Sequence, residues 1–239
     1  MRRTGACHVD QCRYCFRRYF PYANNRAGGA AWQAILAYIQ ADTTIEEVIF
    51  SGGDPLLAQD AYWKRCLDEL EQIAHVQTLR IHTRTPIVLP ERITDDFVQI
   101  LTATRFQVVM VFHTNHAQEL DVSVASAVQC LRQAGITLLN QAVLLRGVND
   151  NASTLIELSQ TLFRCGILPY YLHQLDKVQG AQHFAVDKET ARCLITALQE
   201  HLPGYLVPKF VYEFFNLEAG CLLNRLIIFH AITYNSSTN

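Results

Sequence analysis

Residues 106–145 read FQVVMVFHTNHAQELDVSVASAVQCLRQAGITLLNQAVLL. The run Phe106–Phe112 is apolar and short, and the run Thr137–Leu145 is its counterpart. Between them, Ser123–Ala134 places apolar residues three and four apart and stops at Gly135. Short β-branched and aromatic runs bounded by polar residues predict strands, and the intervening period predicts a helix. A strand, a helix and a strand with no hairpin turn make one parallel βαβ unit.

The same rhythm extends outward in both directions. Further strands are expected at Glu47–Phe50, Leu79–Thr83 and Leu168–Leu172, and further helices at Ala30–Gln40, Ala58–Ala74, Asp95–Ala103, Ala152–Cys165 and Asp187–His201. Thr94 and Asn151 stand where N-caps belong, and Gly135 and Gly166 where helices end. Between five and seven βα units fit, which predicts a partial or open α/β barrel with its chemistry on loops at the C-terminal ends of the strands. Nothing between residues 1 and 213 suggests a domain boundary. Residues 214–239 show neither strand alternation nor a helical stripe and read as a divergent tail. Only six residues precede Cys7, so the first strand is curtailed and an exposed sheet edge is expected.

Composition narrows the function classes. Half of the 239 residues are hydrophobic and 18% are charged, with a formal net charge of −2. Such a chain can bury a large core and has no electrostatic case for nucleic acid. Its apolar runs are all too short for a membrane span, and Met1-Arg2-Arg3-Thr4-Gly5 does not open a secretory leader, so a cytoplasmic protein is expected. Eight cysteines are present. Five are scattered singly and read as packed thiols.

The other three, Cys7, Cys12 and Cys15, lie together in CHVDQCRYCFRR. Three thiolates in one loop can hold zinc or an iron–sulfur cluster. Zinc would need a fourth ligand from His8 or elsewhere, whereas a cubane cluster would keep one iron open for a small chelating molecule. The second constellation is Ser51-Gly52-Gly53-Asp54-Pro55, directly after a strand. Two glycines let backbone amides approach a ligand, and together with Asp54 they can read the charged ends of an amino acid.

With CRYCFRRYFPY, SGGDP, RIHTRTPIVLPERIT, LLNQAVLLRGVNDN and PYYLHQLDKVQGAQHF in that order, the chain resembles the lysine 2,3-aminomutase family of radical S-adenosylmethionine (SAM) enzymes. It is most similar to the branch that makes (R)-β-lysine for bacterial translation elongation factor P. The resemblance runs from about Gly5 to about Glu213. It implies a radical SAM partial barrel, a [4Fe–4S] cluster, SAM, pyridoxal phosphate (PLP), L-lysine as substrate and a small electron-donor protein. It also implies roles. Cys7, Cys12 and Cys15 match the cluster ligands, and Gly52, Gly53 and Asp54 match the segment holding the methionine part of SAM. Arg17 matches the arginine for the substrate carboxylate, and Asp176 an acidic partner of the lysine ε-ammonium. His113 and Gln141 match cofactor contacts.

Three departures stand out. Four residues separate Cys7 from Cys12 where the family has three, and the segment before the cysteine loop is short. The family's PLP-anchoring lysine falls at or near Gly220, and no lysine follows Lys209. These departures motivate a competing expectation, a catalytically silent paralogue or fragment that binds only metal or a partner protein.

Overall fold

The computed structural model describes residues 13–14, 29–51, 53–176, 179–212 and 226–230. The chain runs α1 (Gly29–Ala41), β1 (Glu47–Ser51), α2 (Asp60–Leu70), β2 (Thr78–Thr83), α3 (Thr85–Val88), α4 (Asp95–Thr102), β3 (Gln107–His113), α5 (Val122–Gln133), β4 (Thr137–Leu144), α6 (Ala152–Cys165), β5 (Leu168–Gln174), α7 (Lys188–His201), β6 (Lys209–Val211) and β7 (Leu226–His230).

All seven strands form one parallel sheet in the order β6-β5-β4-β3-β2-β1-β7. From β1 to β6 the spatial order follows the sequence, with no reversal. Right-handed crossovers then place every connecting helix on the same face, and the sheet curls around the other. Among the described residues β6 and β7 do not pair, so the barrel is open, as the sequence predicts. The tail expectation needs correction at one place: Leu226–His230 is a strand. It pairs in parallel with Glu47–Ser51 and covers the edge of β1 that the sequence leaves exposed.

Alternation along each strand decides which residues meet the helices. On β2, Leu79, Ile81 and Thr83 are buried while Thr78, Arg80 and His82 are half-buried. On β4, Leu138, Asn140, Ala142 and Leu144 are buried and Leu139, Gln141 and Val143 half-buried. The buried apolar set packs under the helices in one continuous core that includes Phe50, Trp63, Phe97, Phe112 and Leu172. At its centre the Phe50 and Trp63 rings lie 4.9 Å apart and the Trp63 and Phe97 rings 6.0 Å apart.

Helix ends follow their sequence signals. Thr94 accepts from the Phe97 amide at 3.1 Å, and Gly166 closes α6 at φ 87°. Asn151 caps α6 by accepting from the Thr154 amide at 2.9 Å. Asn151→Ala is expected to cost about 1 kcal/mol, read as a lower urea midpoint. An unchanged midpoint would mean that packing alone starts the helix. The expected helix Ala58–Ala74 is shorter than read: Pro55–Leu57 is a 3₁₀ turn before it, and α2 stops at Leu70.

Candidate active site at the barrel mouth

The turn after β1 is built to one shape. Gly53 has φ +57°, a left-handed conformation that other residues adopt at a cost. Asp54 follows it, 5% exposed, and its carboxylate accepts four hydrogen bonds from the chain itself. Oδ1 accepts from the Leu56 amide at 3.0 Å and the Thr83 hydroxyl at 2.6 Å. Oδ2 accepts from the amides of Arg84 at 2.6 Å and Thr85 at 3.0 Å. Burial pushes this carboxyl above the ordinary range, opposed by the hydrogen bonds from Thr83, Arg84 and Leu56. Asp54 is therefore the anchor that ties the loop after β1 to the end of β2.

The loop's exit is fixed as firmly. Arg92 donates to the carbonyls of Leu56 at 2.7 Å and Ala58 at 3.0 Å, pairs with Asp60 at 2.7 Å and covers the Phe97 ring at 4.2 Å. Trp63 donates its indole N–H to the Pro55 carbonyl at 3.2 Å.

From this loop a polar chain crosses the mouth. The Arg84 guanidinium donates to the His113 carbonyl at 2.8 Å and pairs with Glu119 at 2.5 Å. Glu119 in turn accepts from the amides of Asn115 and His116. His113 and Gln141 are register partners on β3 and β4, with Gln141 Nε2 2.9 Å from His113 Nε2. The His82 ring stands 6.1 Å from that of His113. Gln141 is in register with Tyr171, and Tyr171 with Lys209, so one inward row crosses β3, β4, β5 and β6. At the opposite end of the lumen, Arg80 pairs with Glu47 at 2.8 Å.

The cysteine loop meets the rim through its two described residues. Asn115 Nδ2 donates to the Tyr14 hydroxyl. Arg13 approaches His183 at 3.4 Å and covers the Phe184 ring at 5.2 Å. Asn115 is 5% exposed, and it also accepts from the Val143 amide at 2.7 Å and the Asn149 side chain at 3.0 Å. The residues between Cys12 and Cys15 thus dock on the loops after β3 and β5.

Of the residues expected at the site, His113 and Gln141 are in contact, and Gly53 and Asp54 join them through Arg84. Asp176 lies two residues past β5, half-buried, on the far side of the mouth. Cys7, Cys12, Cys15, Arg17 and Gly52 lie outside the described residues, as does Gly220. Among the described residues no group of three or more His, Cys, Asp or Glu could hold a metal ion, and no helix is long and apolar enough to cross a membrane. Sequence reading missed Arg84, Asn115, Glu119, His82 and His173. The first and fourth stand in RIHTRTP, where a strand's polar end was a usable signal.

The donor set can be tested against the groups the resemblance implies. Three soft thiols in nine residues suit an iron–sulfur cluster, and the Gly53 turn with its anchored amides suits the charged end of SAM. PLP does not fit in the same way, because the anchoring position that the resemblance implies, at or near Gly220, offers no amine.

No family model matches the chain. Among curated proteins it is similar to the L-lysine 2,3-aminomutase of Haemophilus influenzae, 54% identical over 209 residues that make up 87% of this chain and 62% of that protein. The Escherichia coli K12 protein of the same name is 51% identical over 209 residues, 87% of this chain and 61% of that one. The Clostridium subterminale protein of that name is 37% identical over 213 residues, 88% and 50% respectively. The chain therefore spans about three fifths of the length of its more similar relatives. Among solved structures it resembles Streptococcus suis SuiB bound to S-adenosylmethionine, with a TM-score of 0.55 and 15% identity over 85% of this chain and 47% of that one. That likeness concerns the fold.

Proposed function

We propose that the chain is a member of the lysine 2,3-aminomutase family, given its similarity to proteins of that name, and that it is a radical SAM catalytic core acting on L-lysine. The observation that carries the reading is the mouth of the barrel. An anchored glycine turn, a docked cysteine loop and an inward row of polar side chains meet at the C-terminal ends of the strands, where α/β barrels place their chemistry.

In this reading Cys7, Cys12 and Cys15 would hold a [4Fe–4S] cluster. Gly52 and Gly53 would present amides to the methionine part of SAM, in a turn that Asp54 holds shut. Bound together, the two groups would supply the radical chemistry that takes hydrogen from a substrate carbon. The barrel's own residues then serve placement and exclusion of water. Arg17 offers a planar fork for the substrate carboxylate. Asp176 balances the ε-ammonium, and His113 and Gln141 fix an orientation through their mutual hydrogen bond. No step is assigned to PLP, since its anchoring amine is missing. A small donor protein would deliver the electron, the cytoplasm is the expected compartment, and β-lysine destined for elongation factor P is the product the family branch suggests.

Anaerobic reconstitution with iron and sulfide tests this. The purified chain is expected to take up a cluster and, when reduced, to split SAM into methionine and 5′-deoxyadenosine. Uptake of zinc and never of iron–sulfur would overturn the reading. The extra residue between Cys7 and Cys12 and the lack of a lysine after Lys209 favour a second reading, a silent paralogue. A cluster that forms but leaves SAM intact is its signature.

A further inference from the structure

His173 is not part of the network around His113, yet it occupies a favoured position in the lumen. Leu172, its neighbour on β5, is 1% exposed and packs in the core under the helices. His173 therefore points to the opposite, inward face, where its ring meets Tyr171 edge-on at 5.5 Å. Tyr171 shares the inward row of Gln141, so His173 stands one pleat nearer the mouth. Its lateral partners on β4 and β6 are Val143 and Val211. Its Nε2 is buried and has no hydrogen-bond partner among the described residues.

A buried polar nitrogen flanked by two valines contributes nothing to folding. Left unmet in such surroundings, it is unfavourable. Burial holds the imidazole below its ordinary pKa, which favours the neutral ring, and a neutral ring has a nitrogen lone pair to offer. Position selects the partner. The glycine turn follows β1, and three strands separate β1 from β5 in the sheet, so β5 faces the part of the lumen away from SAM. Asp176, three residues further along, brings a carboxylate to the same strand end. A hydrogen-bond acceptor with a carboxylate three residues further along the same strand end suits an alkylammonium group.

Building on the function proposed above, we propose that His173 is a specificity residue whose imidazole accepts a hydrogen bond from the ε-ammonium of the amino-acid substrate, alongside Asp176. The Nε2 lone pair receives the N–H that Asp176 leaves free, and the Tyr171 ring packs edge-on against the imidazole.

The test compares L-lysine with L-norleucine, which has the same carbon chain and no ε-ammonium. Binding is measured by calorimetry on the anaerobically reconstituted chain supplied with SAM and PLP. In the unaltered chain, the histidine ¹⁵N resonance of His173 is expected to move when L-lysine is added and to stay with L-norleucine. In His173→Phe, which keeps an aromatic ring, the preference for lysine should fall roughly tenfold or more, with norleucine binding little changed. His173→Gln, whose amide oxygen falls near Nε2, should restore part of it. Equal weakening of both amino acids in His173→Phe, or a resonance that lysine does not move, would overturn the assignment. If the unaltered chain ignores lysine yet splits SAM, this inference fails while the radical SAM reading stands. If it does neither, both fail.

Discussion

Asp54→Ala is expected to lower the unfolding free energy by about 3–5 kcal/mol and to abolish detectable SAM binding. The carboxylate receives three backbone amides and one hydroxyl in a site that is 5% exposed. Removing it strands all four donors at once. Each would cost about 1–3 kcal/mol if fully dry, and water entering the vacated volume recovers part. The damage does not stay local. Arg84, whose amide Asp54 holds, also supports the His113 carbonyl at 2.8 Å, so the loop after β1 and the end of β3 loosen together. Asp54→Asn keeps the shape but turns two N–H groups toward donors, and should fall between the parent and the alanine variant. Urea unfolding and a SAM titration separate two roles. A large loss of affinity with an unchanged midpoint would mean that the carboxylate meets SAM directly, rather than through the turn it anchors.

The same residue shows how far the sequence reaches. SGGDP after an apolar run marks a tight turn, and Gly53 at φ +57° makes that turn. That Asp54 faces inward depends on Thr83, Arg84 and Thr85, about thirty residues away, and no local pattern reports it. Helix α6 was legible from end to end because both its boundaries are chemical: an Asn cap and a left-handed Gly. Strand β7 was not. LIIFH is only five residues long, and its strand state comes from pairing along β1, a tertiary event. The lumen was half legible. Alternation on β2 separates two faces, but in sequence a polar face reads as solvent. Only the strand order shows that His82 and His173 line a concave interior instead. The histidines of the lumen were therefore hidden in the sequence.

The second large effect concerns product. Given SAM, PLP, a reductant and L-lysine, the reconstituted chain is expected to make 5′-deoxyadenosine with at least about a hundredfold less β-lysine. Covalent attachment through a lysine amine holds PLP at high effective concentration in one orientation, and the position at or near Gly220 has no amine to give. Lys209 is the last lysine of the chain. It stands at the start of β6, exposed, in register with Tyr171 and one pleat below His173. It shares the row of His113, Gln141 and Tyr171 but stands on the last strand of the sheet with its side chain exposed, so it is poorly placed to replace the missing anchor. Borohydride reduction followed by peptide mass analysis should accordingly find no pyridoxyl group on the chain, and Gly220→Lys should create one. Robust β-lysine formation with a pyridoxyl adduct on Lys209 would show that the lumen delivers PLP to that strand. The inward row of His113, Gln141 and Tyr171 would then be its bed.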